Sequence, residues 1–528
     1  MNFMRKPVAA QARSRHQTKV FSAPTKGWVS AVNMSSNLQQ ACLRLENWFP
    51  TTTGIRLGGT STLFATIGVN PVEFMFTYVD GGTKKIFASD ETNVFDITSV
   101  ANPEVAPAAS ITGQTSGYYS SVPFTTSGGA YLTILNGDDD PQLFDGTTWQ
   151  AITAVSTPAI TGVTTSSLTQ GWVYRNREYF VEGGSQSAWY LPVDSIGGAA
   201  SEIALSGVFK HGGNLLFGST WSLDAGDGVD DKCVFISSTG EVAVYEGSYP
   251  GGSDWRIVGR YDMPEPLGKN ASMQIGGDLL IVTEAGIIPI SAVITKDPAA
   301  LSISAVSQNI EPDWRKAVVA RRSLPWGIVK WAAKNMTLVT TPVTSTSDVD
   351  MCFVANSITG AWCKYLWNTR CAVIHDDWLH FGTNSGTIHK GDVGSDNSGA
   401  LVYHTYIGHA ENMGSSNIKQ VFQAKAYFTT SVEFDPQLSI STDYTIALPS
   451  APNAMATGDA NEWDVGLWDV AKWDAGDELY STNTLWVSIG KSGYTIMPQI
   501  QVTSGSSKTP NAELVSFALT YEEGHVVV

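Results

Sequence analysis

Charged side chains make up only 15% of this 528-residue chain, well below the ~25% usual for globular domains. So little charge leaves much of the surface to hydroxyl and amide groups, a composition suited to packing against further copies of the chain. The five cysteines, Cys42, Cys233, Cys352, Cys363 and Cys371, contain no CxxC pair and are odd in number. That argues against a disulfide framework or zinc ribbon and predicts buried free thiols. No run approaches the ~18 apolar residues of a membrane-spanning helix, and no apolar signal core follows the N-terminus. The expectation is a product made in the cytoplasm, neither signal-exported nor membrane-spanning. GxSxG, P-loop and dinucleotide fingerprints are absent, so no catalytic residue is nominated, and the chain is expected to be a non-enzyme without cofactor or metal.

Acidic residues are missing from the first 40 positions, which hold Arg5, Lys6, Arg13, Arg15, Lys19 and Lys26. With a formal net charge of −17 for the whole chain, removing this +6 leaves −23 on the remainder. An acidic body does not grip nucleic acid through its phosphates. The basic arm suits nucleic acid, a membrane surface or an acidic protein partner, with a solvated tail as the plainer alternative.

What is abundant is glycine, at 50 residues, and aromatic side chains, at 10%. Helix signals are few, so the chain reads as all-β with many tight turns. A hairpin module recurs, in which an apolar strand turns through Gly or Asn into a second strand. Examples are Ile86–Ser89 through Asn93 into Val94–Ile97, Val234–Ser237 through Gly240 into Val242–Tyr245, and Leu279–Val282 through Gly286 into Ile287–Ile290. Cys352–Ala355 through Gly360 into Trp362–Tyr365, and Leu379–Gly382 through Gly386 into Thr387–His389, follow the same plan. Gly, and Asn after it, supplies the positive φ of such turns. The strands Val72–Tyr78 and Ala130–Leu135 end at Asp80-Gly81 and Asn136-Gly137, both strong hairpin signals. Meanders of roughly 40–50 residues ending in hairpins are the signature of propeller blades, with an open β-sandwich array as the alternative.

The expected organisation is a basic arm over 1–40, a β-propeller-like body over 41–395, and a separate sandwich-like C-terminal β domain over 396–528. In that last domain, 423–428, 437–446, 485–489, 495–502 and 514–521 read as strands. A short helix is expected from the capping-box spacing at Ser36 to Leu45, and another from Pro312 through Arg322, with proline in its first turn and basic residues at its end.

Three groups of polar residues invite a chemical reading. His375, Asp376, Asp377, His380, His389, Asp392 and His404 form the densest set of metal-capable side chains. Alternation would put His375 and Asp377 on one strand face and His380 on the other, but the spacing matches no metal motif. Asp224, Asp227, Asp230 and Asp231, with Gly226 and Gly228, resemble a calcium loop in composition without its order or its bidentate Glu. Asp138–Asp140 reads as a turn, and Asp145–Trp149 is a partial Asp-box turn. Each reads first as polar residues flanking turns or lying in solvated loops.

The remaining motif is Glu462-Trp463-Asp464, Leu467-Trp468-Asp469 and Lys472-Trp473-Asp474, a Trp-Asp pair every fifth residue. That step fits neither helix nor strand. Trp463, Trp468 and Trp473 are read as anchors, seated either on a neighbouring subunit or on their own domain.

Two stretches carry a family resemblance. The first is Ala23–Trp28, then Leu45-Glu46-Asn47-Trp48-Phe49-Pro50, then Gly54–Gly59, with Gly58 where the family often has arginine. The second is Leu379–Asp392 continuing to Asp396-Asn397-Ser398-Gly399, with Trp331–Val339 ahead of it. They resemble the opening, and the last propeller hairpin with its acidic-glycine exit, of β-propeller tail nozzle or DNA-stabilisation proteins of short-tailed bacteriophages. The Trp-Asp run resembles repeats in the C-terminal part of the same family.

The resemblance implies a structural virion protein, made in the host cytoplasm and located in the phage tail. It implies a homo-hexameric ring below the portal and its adaptor that retains the genome and passes it at ejection. Implied partners are the adaptor or portal, tail fibre or spike proteins, and genomic dsDNA transiently in the lumen; separately, the charge split suggests that the arm residues Arg5, Lys6, Arg13, Arg15 and Lys19 dock on an acidic adaptor or on a neighbouring subunit. The alternative function, drawn from the aromatic-rich β surface, is a host-glycan-binding or glycan-cleaving propeller.

Overall fold

The structure, a computed structural model, describes residues 16–31, 38, 40–222, 231–342, 351–430, 436–454, 480–505 and 511–524. The chain divides into two compact units: residues 58–400, and residues 1–57 together with 401–528.

The 58–400 unit is a β-propeller, with seven blade sheets among its described residues. Their first strands begin at Phe74, Ser120, Leu168, Leu215, Ser272, Gly327 and Cys371, a spacing close to the expected meander. Each blade runs antiparallel from its first strand outward, as in Phe74–Asp80, Thr83–Ser89, Val94–Asp96 and Ala109–Ile111. The fifth blade has three strands, Ser272–Ile275, Asp278–Thr283 and Gly286–Pro289, and continues into the helix Ile290–Thr295. In the seventh, Cys371–His375, Trp378–Gly382 and Thr387–Gly391 are completed by a strand from the other end of the unit, Ser61–Thr66.

Blades bury their faces against one another. Phe76, Tyr78, Phe87 and Val94 of the first pack with Leu132, Ile134 and Phe144 of the second. Comparable clusters join the second to the third, the third to the fourth and the fourth to the fifth. At the seam of the seventh and first blades, Ala65 and Ile67 from the closing segment meet Met75, Ile86, Cys371 and Ile388. The third strand of the expected hairpin at Asn93 is reached without a positive φ at that residue. Instead the Asp90 carboxylate accepts from the Thr92 and Asn93 amides at 2.9 and 2.7 Å, forming an Asx turn. Gly240 does carry a positive φ, of 85°, and a β-carbon there would lie 2.0 Å from the Met263 carbonyl oxygen, so no other residue fits.

The second unit holds two antiparallel sets of strands. In one, Ala512–Glu523 pairs along its length with Lys419–Thr430, and on its other edge with Gln17–Ser22 and Ile55–Leu57. In the other, Val402–Gly408 lies between Cys42–Glu46 and Ile496–Ser504, which in turn pairs with Gln437–Thr442.

Three expectations change. The described part of the expected 36–45 helix is extended: Leu45 pairs with Tyr406 inside the strand Cys42–Glu46, and tertiary pairing overrides the local capping signal. Residues 41–57 group with the C-terminal segment rather than with the propeller, because their strands are claimed by Val402–Gly408 and Ala512–Glu523. Within the expected arm, Gln17–Ser22 is a strand. The helix Glu311–Arg321 forms as read, with proline in its first turn and Arg321 in its last. All five cysteines are buried free thiols. Among the described residues, no helix is long and apolar enough to cross a membrane.

Trp367 tests the ring seam. It is 1% exposed, stacks on Phe381 at 4.6 Å, and its indole N–H donates to the Gly59 carbonyl at 2.8 Å. Trp367→Ala is expected to cost about 3–5 kcal/mol in urea unfolding, from lost burial and a cavity. Trp367→Phe is expected to cost less than Trp367→Ala, through the lost hydrogen bond and the smaller ring, about 1–3 kcal/mol. A Trp367→Ala loss below about 1 kcal/mol would contradict this packing.

Candidate functional site: the propeller junction and its central cavity

The chain enters and leaves the propeller at one place. The Asp392 amide donates to the Thr60 carbonyl at 2.7 Å, Ser61 N to Asp396 O at 2.9 Å, and Ser398 N to Ser61 O at 3.0 Å. The Ser61 hydroxyl also donates to the Asn397 side-chain oxygen. Asp392 is buried and pairs with Lys334 at 3.2 Å. Gly58 has no room for a side chain: a β-carbon would sit 2.3 Å from Tyr365 Oη and 3.0 Å from Asp392 Oδ1. Segments more than 300 residues apart in sequence, one directly after the Gly54–Gly59 motif and one within the 379–399 motif, thus form one hydrogen-bonded junction.

On the inside of the ring, the first strands and the residues just ahead of them line a cavity of about 340 Å³. It shares Glu73, Tyr118, Lys269 and Pro325 with a wider hollow of about 640 Å³. Arg370 grips Glu73 through Nη2, at 2.7 and 2.6 Å from the two carboxylate oxygens, tying the seventh blade to the first. Both side chains are mostly buried, at 11% and 15% exposed. Gln170 exchanges two hydrogen bonds with Gly218 of the next blade, at 3.0 and 3.2 Å. Asn270 donates to Tyr119 O at 2.8 Å.

Lys269 spans the space between blades. Its Nζ donates to Tyr118 O and Thr169 O, both at 2.9 Å, and to Asn136 O at 3.4 Å, and it lies 4.8 Å from the Tyr118 ring centre. Burial pushes this ammonium down to about 7, against a smaller opposing pull from the Asp138 charge. Between the second and third blades, burial pushes the Glu178 carboxyl up to about 8 while Thr133 donates to it at 3.0 Å.

The sequence-nominated residues fare differently. Trp463, Trp468 and Trp473 lie outside the described residues, as do Arg5, Lys6, Arg13, Arg15, Asp224, Asp227 and Asp230. Lys19 sits in the strand Gln17–Ser22 and pairs with Glu411 of its own unit. The histidine-aspartate group does not converge. Asp376 and Asp377 have φ of 49° and 63° and form the tip of a hairpin, so Asp377 is not on a strand face with His375. His375 and His380 touch edge to face at 6.0 Å, and burial pushes His380 down to about 4. His389 stacks on Phe381 and is pushed down to about 4 in the same way. His404 donates from Nδ1 to Asn47 O at 2.7 Å in the other unit. Asp145 accepts from the Thr147 and Thr148 amides at 2.8 and 2.7 Å and is held well below the usual carboxylate range by them and by the two hydroxyls. Asn136, not the aspartates, organises the turn at 138–140, accepting from the Asp138 and Asp139 amides.

Among the described residues, the one group of three metal-capable side chains close together is His211, Glu241 and Asp262. It was not foreseen, because its members come from three separate segments. Glu241 is fully buried, yet the Lys210 and His211 amides, both at 2.8 Å, and the Arg260 guanidinium hold its carboxyl below the usual value despite that burial. Arg260 already supplies the cation, so the group reads as an ion-pair network.

No family model matches the sequence, and no curated protein matches it. Solved structures similar to it include the computationally designed Ika8 protein, with 8% identity over 63% of this chain and 100% of that chain and a TM-score of 0.36. The β-propeller domain of Cps50 (Swd1) from Myceliophteria thermophila gives 11% identity, 63% and 99% coverage and a TM-score of 0.39. YCF48 bound to D1 peptide gives 11%, 63% and 95%, with a TM-score of 0.35.

The two shifted groups predict opposite pH slopes. Glu178 titrates higher folded than unfolded, so its contribution falls as pH rises from 4.5 to about 8. Lys269 titrates lower folded than unfolded, so its contribution rises from about 7 to 10.5. Urea midpoints of Glu178→Gln are expected to lose the decline between pH 5 and 8 while keeping the alkaline rise. An unchanged acidic-side profile would show that Glu178 is ionised in the fold.

Proposed function

We propose that this chain is a non-enzymatic structural subunit of a short-tailed bacteriophage tail. It forms a homo-hexameric nozzle ring that extends the DNA channel below the portal and adaptor. The observation that supports this reading best is the junction at 58–61 and 391–398. The first of the two stretches that resemble the nozzle family ends at Gly59, and Thr60 and Ser61 directly after it bond to Asp392, Asp396 and Ser398 of the second, where the chain enters and leaves the propeller.

Two physical points agree with it. The cavity inside the propeller is crossed by Lys269 and the Glu73–Arg370 pair and is far too small for a duplex, so passage of DNA requires a lumen shared between subunits. The −23 of charge outside the first 40 residues favours sliding over condensation, since an acidic wall offers no counterion-release binding to the phosphates. Closure of a head-to-tail ring also requires complementary patches on each subunit. Trp463, Trp468 and Trp473 are candidates for them, and the basic residues ahead of Gln17 are candidates for adaptor docking.

Native mass spectrometry and negative-stain imaging of the purified chain are expected to show six-membered rings with no salt-sensitive DNA affinity. A monomer or trimer with glycan affinity would overturn the proposal in favour of the receptor-binding alternative. Removing residues 1–15, which spares the strand Gln17–Ser22, is expected to abolish adaptor attachment and leave the fold intact. Unchanged attachment would remove the docking role of the arm.

A further inference from the structure

We propose that one face of the second unit's sheet, built on Gln17–Ser22, Ala512–Glu523 and Lys419–Thr430, is the seat on which the Trp-Asp run of a second copy of this chain docks. The inference deepens the ring reading above and rests on it only in requiring that copies associate. Register decides which side chains make the face. Val20 lies opposite Ala518, which lies opposite Lys425, and Ser22, Ser516 and Tyr427 form the next such row. Directly opposite residues share one face of a sheet. The row between them, Phe21, Phe517 and Ala426, points to the other side, where Phe517 and Ala426 are buried. The first two rows therefore look away from the core, and Ala518, small and itself buried, is the floor between Val20 and Lys425.

Charge and open apolar surface meet on this face. In a chain of net charge −17 the two rows hold no acid and a single cation, Lys425. Its ammonium lies 5.1 Å from the Tyr427 ring centre and 5.9 Å from that of Trp486. No carboxylate among the described residues pairs with it. Trp486 directly precedes Val487, which pairs with Ala424, so the indole stands at the edge of the rows beside Lys425. Leu485 is 86% exposed, Val20 54% and Trp486 40%. Large apolar side chains left open around one cation mark an interaction surface rather than a finished exterior.

The run is the complement of that surface. Between Glu462 and Asp474 it carries three indoles and four acids, Glu462, Asp464, Asp469 and Asp474, against one base, Lys472. An aromatic and acidic segment fits an aromatic and cationic face: its indoles cover Leu485, Trp486 and Val20, and one of its carboxylates pairs with Lys425. That pair gains strength as the indoles exclude water from it. A buried Trp covers ~150–250 Å², so three of them supply a large part of the ~800 Å² that each partner gives to a stable interface. The face stands open on the single chain, which names a second copy as the donor of the run. In a ring, each subunit then offers a run to one neighbour and a seat to the other.

The test is complementation between two full-length variants, read by native mass spectrometry. The seat variant carries Lys425→Glu and Trp486→Ala, and the run variant carries Trp463→Ala, Trp468→Ala and Trp473→Ala. Each alone is expected to be a monomer at a concentration about tenfold above that at which the native chain assembles. Mixed in equal amounts they are expected to give a heterodimer, because the run of the seat variant still finds the seat of the run variant. An unchanged urea midpoint shows that the seat variant folds, and Lys425→Glu alone carries the test if that midpoint falls. Assembly of either variant alone at the native concentration, or monomers in the mixture, overturns the proposal; the second result means that the run docks on its own chain. A native hexamer that survives the seat variant overturns this inference and leaves the nozzle reading standing. A native assembly of another size that follows the expected pattern supports the inference and overturns the six-membered ring, and a monomeric native chain overturns both.

Discussion

The pairing of Ser61–Thr66 with Thr387–Gly391 is the constraint on which the rest of the molecule depends. A ring of blades built in sequence order leaves two raw ends, and an unpaired last strand presents open backbone groups. Here the strand that precedes the first blade completes the seventh. Its side chains Ala65 and the nearby Ile67 then enter the core between the seventh and first blades. On the inner side the same seam is tied by Arg370 and Glu73, whose two hydrogen bonds are shielded from solvent. Hydrophobic burial closes the seam from outside and a buried ion pair from within.

Closure has a topological consequence. Because the propeller begins and ends at one junction, the segments before Gly58 and after Ala400 emerge together and can share a fold. They do: Ala512–Glu523, near the far end of the chain, pairs with both Gln17–Ser22 and Ile55–Leu57. The propeller is in effect an insertion in a smaller β unit. The propeller buries charged groups between its blades, Lys269 and Glu178 among them, and burial shifts both toward their neutral forms.

Much of the propeller was legible because each hairpin carries its own turn chemistry. Gly240, Gly286, Gly360 and Gly386 all adopt the positive φ their positions announced. Alternation within Phe74–Asp80 and the apolar runs that follow did the rest. The closing strand was not legible, since Ser61–Thr66 has an ordinary local pattern and its partner lies more than 300 residues away. The 36–45 segment misled for a similar reason: a capping-box spacing is local, while the pairing of Leu45 with Tyr406 is not. The cavity residues were missed although a signal existed. Glu73, Tyr118, Lys269 and Arg370 each sit one to three positions ahead of the first strand of a blade, a register visible once the blades are aligned. The histidine-aspartate group, read first as turn-flanking polar residues, does not converge: Asp376 and Asp377 form a hairpin tip, and only the expected shared face of His375 and Asp377 fails.

Hydrogen exchange across the closing strand tests the central claim most directly. If Ser61–Thr66 completes the seventh blade, the amides of that strand that face Thr387–Gly391 should exchange as slowly as those of Trp378–Gly382, and open with them as one cooperative unit. Exchange of Ser61–Thr66 at the rate of exposed loops, with the rest of the seventh blade still protected, would contradict closure by that strand.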